Sequence, residues 1–155
     1  MDKIRRLFEE ASDRSTCHLI NLGVVIESPA GEYVLGWNGP PGRCGPHEEC
    51  LVGKCITPET LGNCPGVHAE VRAICNAASA GIPIRGGTLY LSEWFCCMPC
   101  AIAMIEAGIS RLVLTEEINY DKEDCYHFRA AADLLRRAGV SVEIRKELHP
   151  LLGTG

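Results

Sequence analysis

From residue 67 onward, three helical stretches alternate with three strand-like runs, and each helix stops at a glycine. The helices span 67–80, 99–107 and 122–137, followed by Gly81, Gly108 and Gly139. Glycine lets the backbone turn left-handed there and end the helix without a side-chain clash. The runs between them are Gly87-Thr88-Leu89-Tyr90-Leu91-Ser92, Arg111-Leu112-Val113-Leu114 and Val140-Ser141-Val142-Glu143-Ile144. They are too short for helices and rich in residues that suit strands. Upstream, Ile4, Leu7, Phe8 and Ala11 recur at helical spacing over residues 2–13. Residues 18–27, centred on Leu22-Gly23-Val24-Val25-Ile26, and residues 32–37 flank a turn at Pro29-Ala30-Gly31 and read as a hairpin. The order α-β-β-α-β-α-β-α-β predicts an α/β layered fold with a mixed five-stranded sheet. With 155 residues and no internal repeat, the chain suits one domain over 1–155.

Composition narrows the partners. The net charge is -5, which lacks the basic footprint of a nucleic-acid binder and favours a small-molecule substrate. The start, Met1-Asp2-Lys3-Ile4-Arg5-Arg6, is charged where a signal peptide would be apolar, and no stretch reaches the length of a membrane span. A cytoplasmic protein with no membrane partner is expected. In that setting ten cysteines point to metal or catalysis and not to disulfides. Cys75 and Cys125 are expected to be small buried apolar residues of helices. Residues 39–66 differ from the rest: they are rich in glycine and proline, lack periodicity, and hold Cys44, Cys50, Cys55 and Cys64. A structureless loop of that length is unusual in a compact domain unless function or metal holds it.

Two fragments carry chemistry. His68-Ala69-Glu70 and Cys97-Met98-Pro99-Cys100 each open a helix. The positive end of a helix lowers the pKa of a thiol, which favours the thiolates zinc needs. Two sulfurs and a neutral imidazole leave one tetrahedral position for water, the layout of a catalytic zinc. Glu70 sits beside such a metal without having to bind it, and so is free to carry protons. Either fragment alone is weak, since Cys-x-x-Cys also serves redox pairs and structural zinc. In this order and context they form the pattern of zinc deaminases.

The chain resembles the deoxycytidylate (dCMP) deaminases of the cytidine deaminase superfamily. The likeness runs from Arg14 to Ile144 through Arg14-Ser15-Thr16-Cys17, Gly36-Trp37-Asn38-Gly39-Pro40-Pro41, Cys64-Pro65-Gly66-Val67-His68-Ala69-Glu70, Gly87-Thr88-Leu89-Tyr90 and Ala107-Gly108-Ile109. It implies a three-layer α/β/α cytidine deaminase-like fold and hydrolysis of dCMP to dUMP and ammonia. The implied roles are His68, Cys97 and Cys100 as zinc ligands and Glu70 as proton carrier. Asn38 would contact the sugar, the Ala69 backbone would face the pyrimidine carbonyl, and Arg14 and Tyr120 would serve the 5′-phosphate. Asn38 has a plainer alternative as a turn residue, and an exposed arginine is often merely solvated. Some members hold a second, structural zinc through the cysteine that Cys17 matches; Cys44, Cys50, Cys55, Cys64 and His47 are further ligand types for it, or else free thiols and an imidazole. The resemblance also implies a homo-oligomer.

The chain departs from the family pattern at Tyr90-Leu91-Ser92-Glu93-Trp94-Phe95-Cys96-Cys97, which has one extra residue and Cys96 in place of proline. Cys97 keeps the family spacing to Cys100, so Cys96 is expected to sit behind it. His18-Leu19-Ile20-Asn21 is nearly uncharged where relatives often carry basic residues. The alternatives to a dCMP deaminase are a deaminase of another base or nucleoside (a modified pyrimidine, guanine, tRNA adenosine) and a non-catalytic zinc module that binds nucleotides.

Overall fold

The computed structural model describes residues 2–45, 57–121 and 123–150. Helix α1 (Asp2–Asp13) leads into strands β1 (Gly23–Glu27) and β2 (Tyr33–Trp37), then short helix α2 (Pro58–Gly62), helix α3 (Ala69–Ala80), strand β3 (Thr88–Leu91), helix α4 (Met98–Ala107) and strand β4 (Arg111–Leu114). Helices α5 (Glu123–Tyr126) and α6 (Phe128–Arg137), strand β5 (Ser141–Ile144) and a 3-10 turn (Lys146–Leu148) complete the order. The five strands form one sheet in the order β2-β1-β3-β4-β5. β1 pairs antiparallel with β2 and β3, while β3–β4 and β4–β5 are parallel. The mixed five-stranded α/β architecture expected from the alternation is therefore present.

Strand period two sorts the side chains into two apolar layers. Val24, Ile26, Leu89, Leu91, Leu112 and Leu114 pack under α3, α4 and α6. Val25, Tyr90 and Val113 face the other way, against Ile4 and Phe8 of α1 and Leu148 of the 3-10 turn. Helices on both faces make three layers. No helix among the described residues is long and apolar enough to cross a membrane.

Several expectations need correction. Residues 39–66 are not structureless throughout: Thr57 caps α2, its side chain accepting from the Thr60 amide. The stretch 122–137 is two helices and not one. His127 adopts φ 54, ψ 46 between them, and the Glu123 carboxylate accepts the Arg129 amide at 3.0 Å to start α6 afresh. Cys75 is exposed and Cys125 only half-buried. On α3 the inner face is taken by Ala69, Glu70, Ala73 and Ala77, which leaves Cys75 outside.

Candidate functional site

The site is assembled by two helix starts. α3 is pressed onto β2 because Gly36 has no side chain: a Cβ there would lie 2.2 Å from the Ala69 carbonyl and 2.6 Å from the Ala73 amide. The residues just before α3 are pinned by a two-way bridge, in which the Val67 amide donates to Gly39 at 2.7 Å and the Gly39 amide to Val67 at 3.2 Å. His68 follows as the extended N-cap, with φ -71 and ψ 149. Cys97 is likewise the N-cap of α4, with proline in the first turn where its missing N–H costs nothing. Cys100 lies three residues on, over the same face.

His68 Nδ1 stands 3.4 Å from Cys97 Sγ and 3.3 Å from Cys100 Sγ. All three donor atoms lie within 4.8 Å of one another, and among the described residues they are the one group that could hold a metal. A tetrahedral zinc with ordinary Zn–S and Zn–N bonds requires N···S edges of about 3.5 Å, so the spacing fits. His68 remains exposed while both cysteines are buried, which leaves one side open to a ligand. Cys96 is fully buried in the main core, where burial pushes its thiol pKa up, and it does not join the group.

The protons of the group are already unevenly shared. The hydrogen bond from Cys100 and the adjacent His68 pull the Cys97 thiol down to about 4. The hydrogen bond to Cys97 lifts His68 to about 9, and the Cys100 thiol, which donates to Cys97, is raised. Both neighbours thus favour the thiolate form of Cys97, the form a metal would take. Glu70 is 4% exposed. Burial raises its carboxyl pKa and His68 opposes that rise. A carboxyl raised from its ordinary range is suited to both taking and returning a proton.

A cavity of about 390 Å³ opens in front of these residues and is lined by His68, Glu70 and Cys97. Its aromatic wall includes Trp94, Phe95 and Tyr126. Trp94 meets Tyr126 edge-on at 5.6 Å, and Tyr126 stacks on Phe128 at 5.3 Å. Trp94 holds φ 63, and the Glu116 carboxylate accepts its amide at 2.7 Å. The extra residue between Tyr90 and Cys97 hinted at an altered wall; nothing in the sequence pointed to Tyr126 or His127, which also lines the cavity.

The other candidates divide. Asn38 is buried and lines the cavity. Its Oδ1 accepts from the Ser15 hydroxyl at 2.7 Å and the Leu22 amide at 2.8 Å, and Nδ2 donates to Ile20 at 2.8 Å. Ala69, between His68 and Glu70, is fully buried at the first helical position. Arg14 and Tyr120 do not line the cavity: Arg14 pairs with Glu10 at the surface, and Tyr120 packs beneath Arg129 at 4.0 Å. Cys17 and Cys64 are half-buried and reach the cavity, whereas Cys44 is exposed. His47, Cys50 and Cys55 lie outside the described residues.

Comparison with known proteins agrees with this geometry. The family model described as cytidine and deoxycytidylate deaminase zinc-binding region matches residues 2–116. ComE operon protein 2 of Bacillus subtilis (strain 168) is 30% identical over 133 residues, covering 84% of this chain and 62% of that protein. The chain thus spans less than two thirds of that relative's length. The deoxycytidylate deaminase of Mus musculus is 30% identical over 134 residues, covering 84% of this chain and 71% of that protein. The dCMP deaminase of cyanophage S-TIM5, solved in complex with dCMP and dUMP, shares the fold with a TM-score of 0.69 at 22% identity, over 93% of this chain and 95% of that one.

Proposed function

The chain belongs to the cytidine and deoxycytidylate deaminase family, and from that premise we propose that it hydrolyses dCMP to dUMP and ammonia, with one zinc held by His68, Cys97 and Cys100. The observation that carries this reading is the meeting of those three donors within 4.8 Å, two of which, His68 and Cys97, line a cavity together with the buried Glu70. Zinc bound there would act as a Lewis acid and lower the pKa of a water in its open position to about 7.

The residues divide the remaining work. As a water oxygen bonds C4 of the cytosine ring, Glu70 takes one proton of that water and delivers it to N3; it then moves the second proton to the amine, whose bond to C4 breaks so that it leaves as ammonia and C4 becomes the carbonyl. The Ala69 amide, at the start of α3, supports the pyrimidine carbonyl. Asn38 has one Nδ2 hydrogen left after its bonds to Ser15, Leu22 and Ile20, and offers it to the sugar. The aromatic wall of Trp94 and Tyr126 excludes water from the ring. Arg14 and Tyr120 would meet only a 5′-phosphate that extends beyond the cavity.

Three further assignments rest on the same family reading: a homo-oligomer, action in the cytoplasm, and a second, structural zinc with ligands drawn from Cys17, Cys44, Cys50, Cys55 and Cys64. Zinc counting and a sedimentation measurement address these separately. The deciding experiment is ultraviolet absorbance with ammonia release over a panel of dCMP, dCTP, cytidine and 5-substituted cytosine nucleotides. Turnover of dCMP above the others is expected. Turnover of another base alone would transfer the assignment to that base, and silence across the panel with nucleotide still bound would favour a non-catalytic module.

A further inference from the structure

Arg72 lies on α3 two residues beyond Glu70, and its guanidinium spans the gap to the end of β2. Nε donates to the Trp37 carbonyl at 2.7 Å, and Nη2 donates to the carbonyls of Gly39 at 2.9 Å and Pro40 at 2.7 Å. The guanidinium also sits 5.3 Å from the Trp37 ring centroid. Three carbonyls of one four-residue stretch therefore converge on a single side chain of the helix that carries Glu70. Asn38 falls between two of those carbonyls, and both Asn38 and Gly39 line the cavity, whereas Arg72 itself does not.

We propose that Arg72 is a positioning residue for substrate binding: it fixes the Asn38–Gly39 wall of the cavity at a set distance from Glu70 without touching the substrate. The inference rests on reading this cavity as the dCMP site. Charge-assisted bonds from a planar fork hold several acceptors in one geometry, which a single ammonium on a flexible stem does not reproduce. Without the fork the stretch keeps its bridge to Val67 and the Asn38 bonds to 15–22, so it stays near the site but loses the three bonds that tie it to α3. Asn76, four residues further along α3, supplies the control. Its Nδ2 donates to the Leu35 carbonyl at 2.8 Å, a tether to the same strand that does not reach residues 37–40.

The test compares dCMP kinetics of Arg72→Lys, Asn76→Ala, Asn38→Ala and the double variant Arg72→Lys/Asn38→Ala. Arg72→Lys is expected to raise KM about tenfold while kcat stays within about threefold and the zinc count is unchanged. Asn76→Ala leaves KM unchanged. The double variant binds no worse than Asn38→Ala, because Arg72 acts through that wall. An unchanged KM in Arg72→Lys, an equal loss in Asn76→Ala, or additive losses in the double variant would overturn the proposal. Hydrogen exchange at the Asn38 and Gly39 amides is measured on the same proteins and needs no turnover: it quickens in Arg72→Lys and not in Asn76→Ala. If the wild type ignores dCMP, the functional reading fails while exchange still decides the role of Arg72. Should Arg72→Lys not fold, Arg72→Gln is measured the same way; failure of both while Asn76→Ala folds would make Arg72 a stability residue and sink the idea.

Discussion

Replacing Gly36 with alanine should move helix α3. The added Cβ would stand 2.2 Å from the Ala69 carbonyl oxygen, where ordinary contact begins near 3.4 Å, and 2.6 Å from both the Cβ and the amide nitrogen of Ala73. Two of these neighbours are backbone atoms of a helix, so no side chain can swing aside. The start of α3 must retreat by about 1 Å, at the upper end of the usual overpacking cost, about 3 kcal/mol. For a domain of this size that corresponds to a melting point lower by about 10 °C. His68 and Glu70 ride on that helix start, and a misplacement of this order costs on the order of 10²-fold in turnover. Thermal melting followed by circular dichroism, with deamination measured below the transition, reads both. Gly42→Ala is the matched control, since a Cβ there meets nothing within 4 Å. A Gly36→Ala protein that melts within about a degree of wild type and turns over normally would refute the account of how α3 is seated.

Zinc content should separate the neighbouring thiols: Cys97→Ser and Cys100→Ser lose the metal, while Cys96→Ala keeps it, as counted by atomic emission on purified protein. Retained zinc in Cys97→Ser with loss in Cys96→Ala would reverse the ligand assignment. The Tyr90 hydroxyl, which donates to Glu27 at 2.8 Å, predicts alkaline behaviour. Burial first, and then the hydrogen bond to Glu27, hold the Tyr90 phenol up at about 12, against 10.0 in the unfolded chain. The native state keeps that proton while the unfolded state has released it, so the stabilisation is intact below pH 10 and drains away as pH rises toward 12. Tyr90→Phe should reduce the late-titrating part of the tyrosinate absorbance and flatten the fall in stability; an unchanged titration would contradict the pairing.

The candidate metal site was legible because it is local. Each of His68-x-Glu70 and Cys97-x-x-Cys100 opens a helix, and a helix start fixes where its first side chains point whatever the rest of the chain does. The glycine-stopped helices were legible for the same reason, since Gly81 and Gly108 adopt the left-handed conformation that ends α3 and α4. What escaped depends on contacts between distant segments. The break at His127 requires the Glu123 carboxylate to cap a new helix. The exposure of Cys75 follows from alanines covering the inner face of α3, and a stretch of small residues has little periodicity from which to choose that face. Gly36 reads as an ordinary strand glycine until α3 is seen against it, and Arg72 reads as a solvated helix charge until its three carbonyls are in place. Trp94 and Tyr126 meet across a separation of thirty-odd positions, beyond any spacing rule.

The central claim is that a buried carboxylate beside a three-ligand zinc carries the protons of a deamination. Turnover of dCMP by Glu70→Gln, compared with wild type at equal zinc content, tests it most directly. The amide keeps the shape and cannot carry the proton, so the rate should fall by about 10²- to 10⁴-fold while zinc and dUMP still bind. A zinc-loaded Glu70→Gln protein that deaminates dCMP within about threefold of wild type would contradict the account.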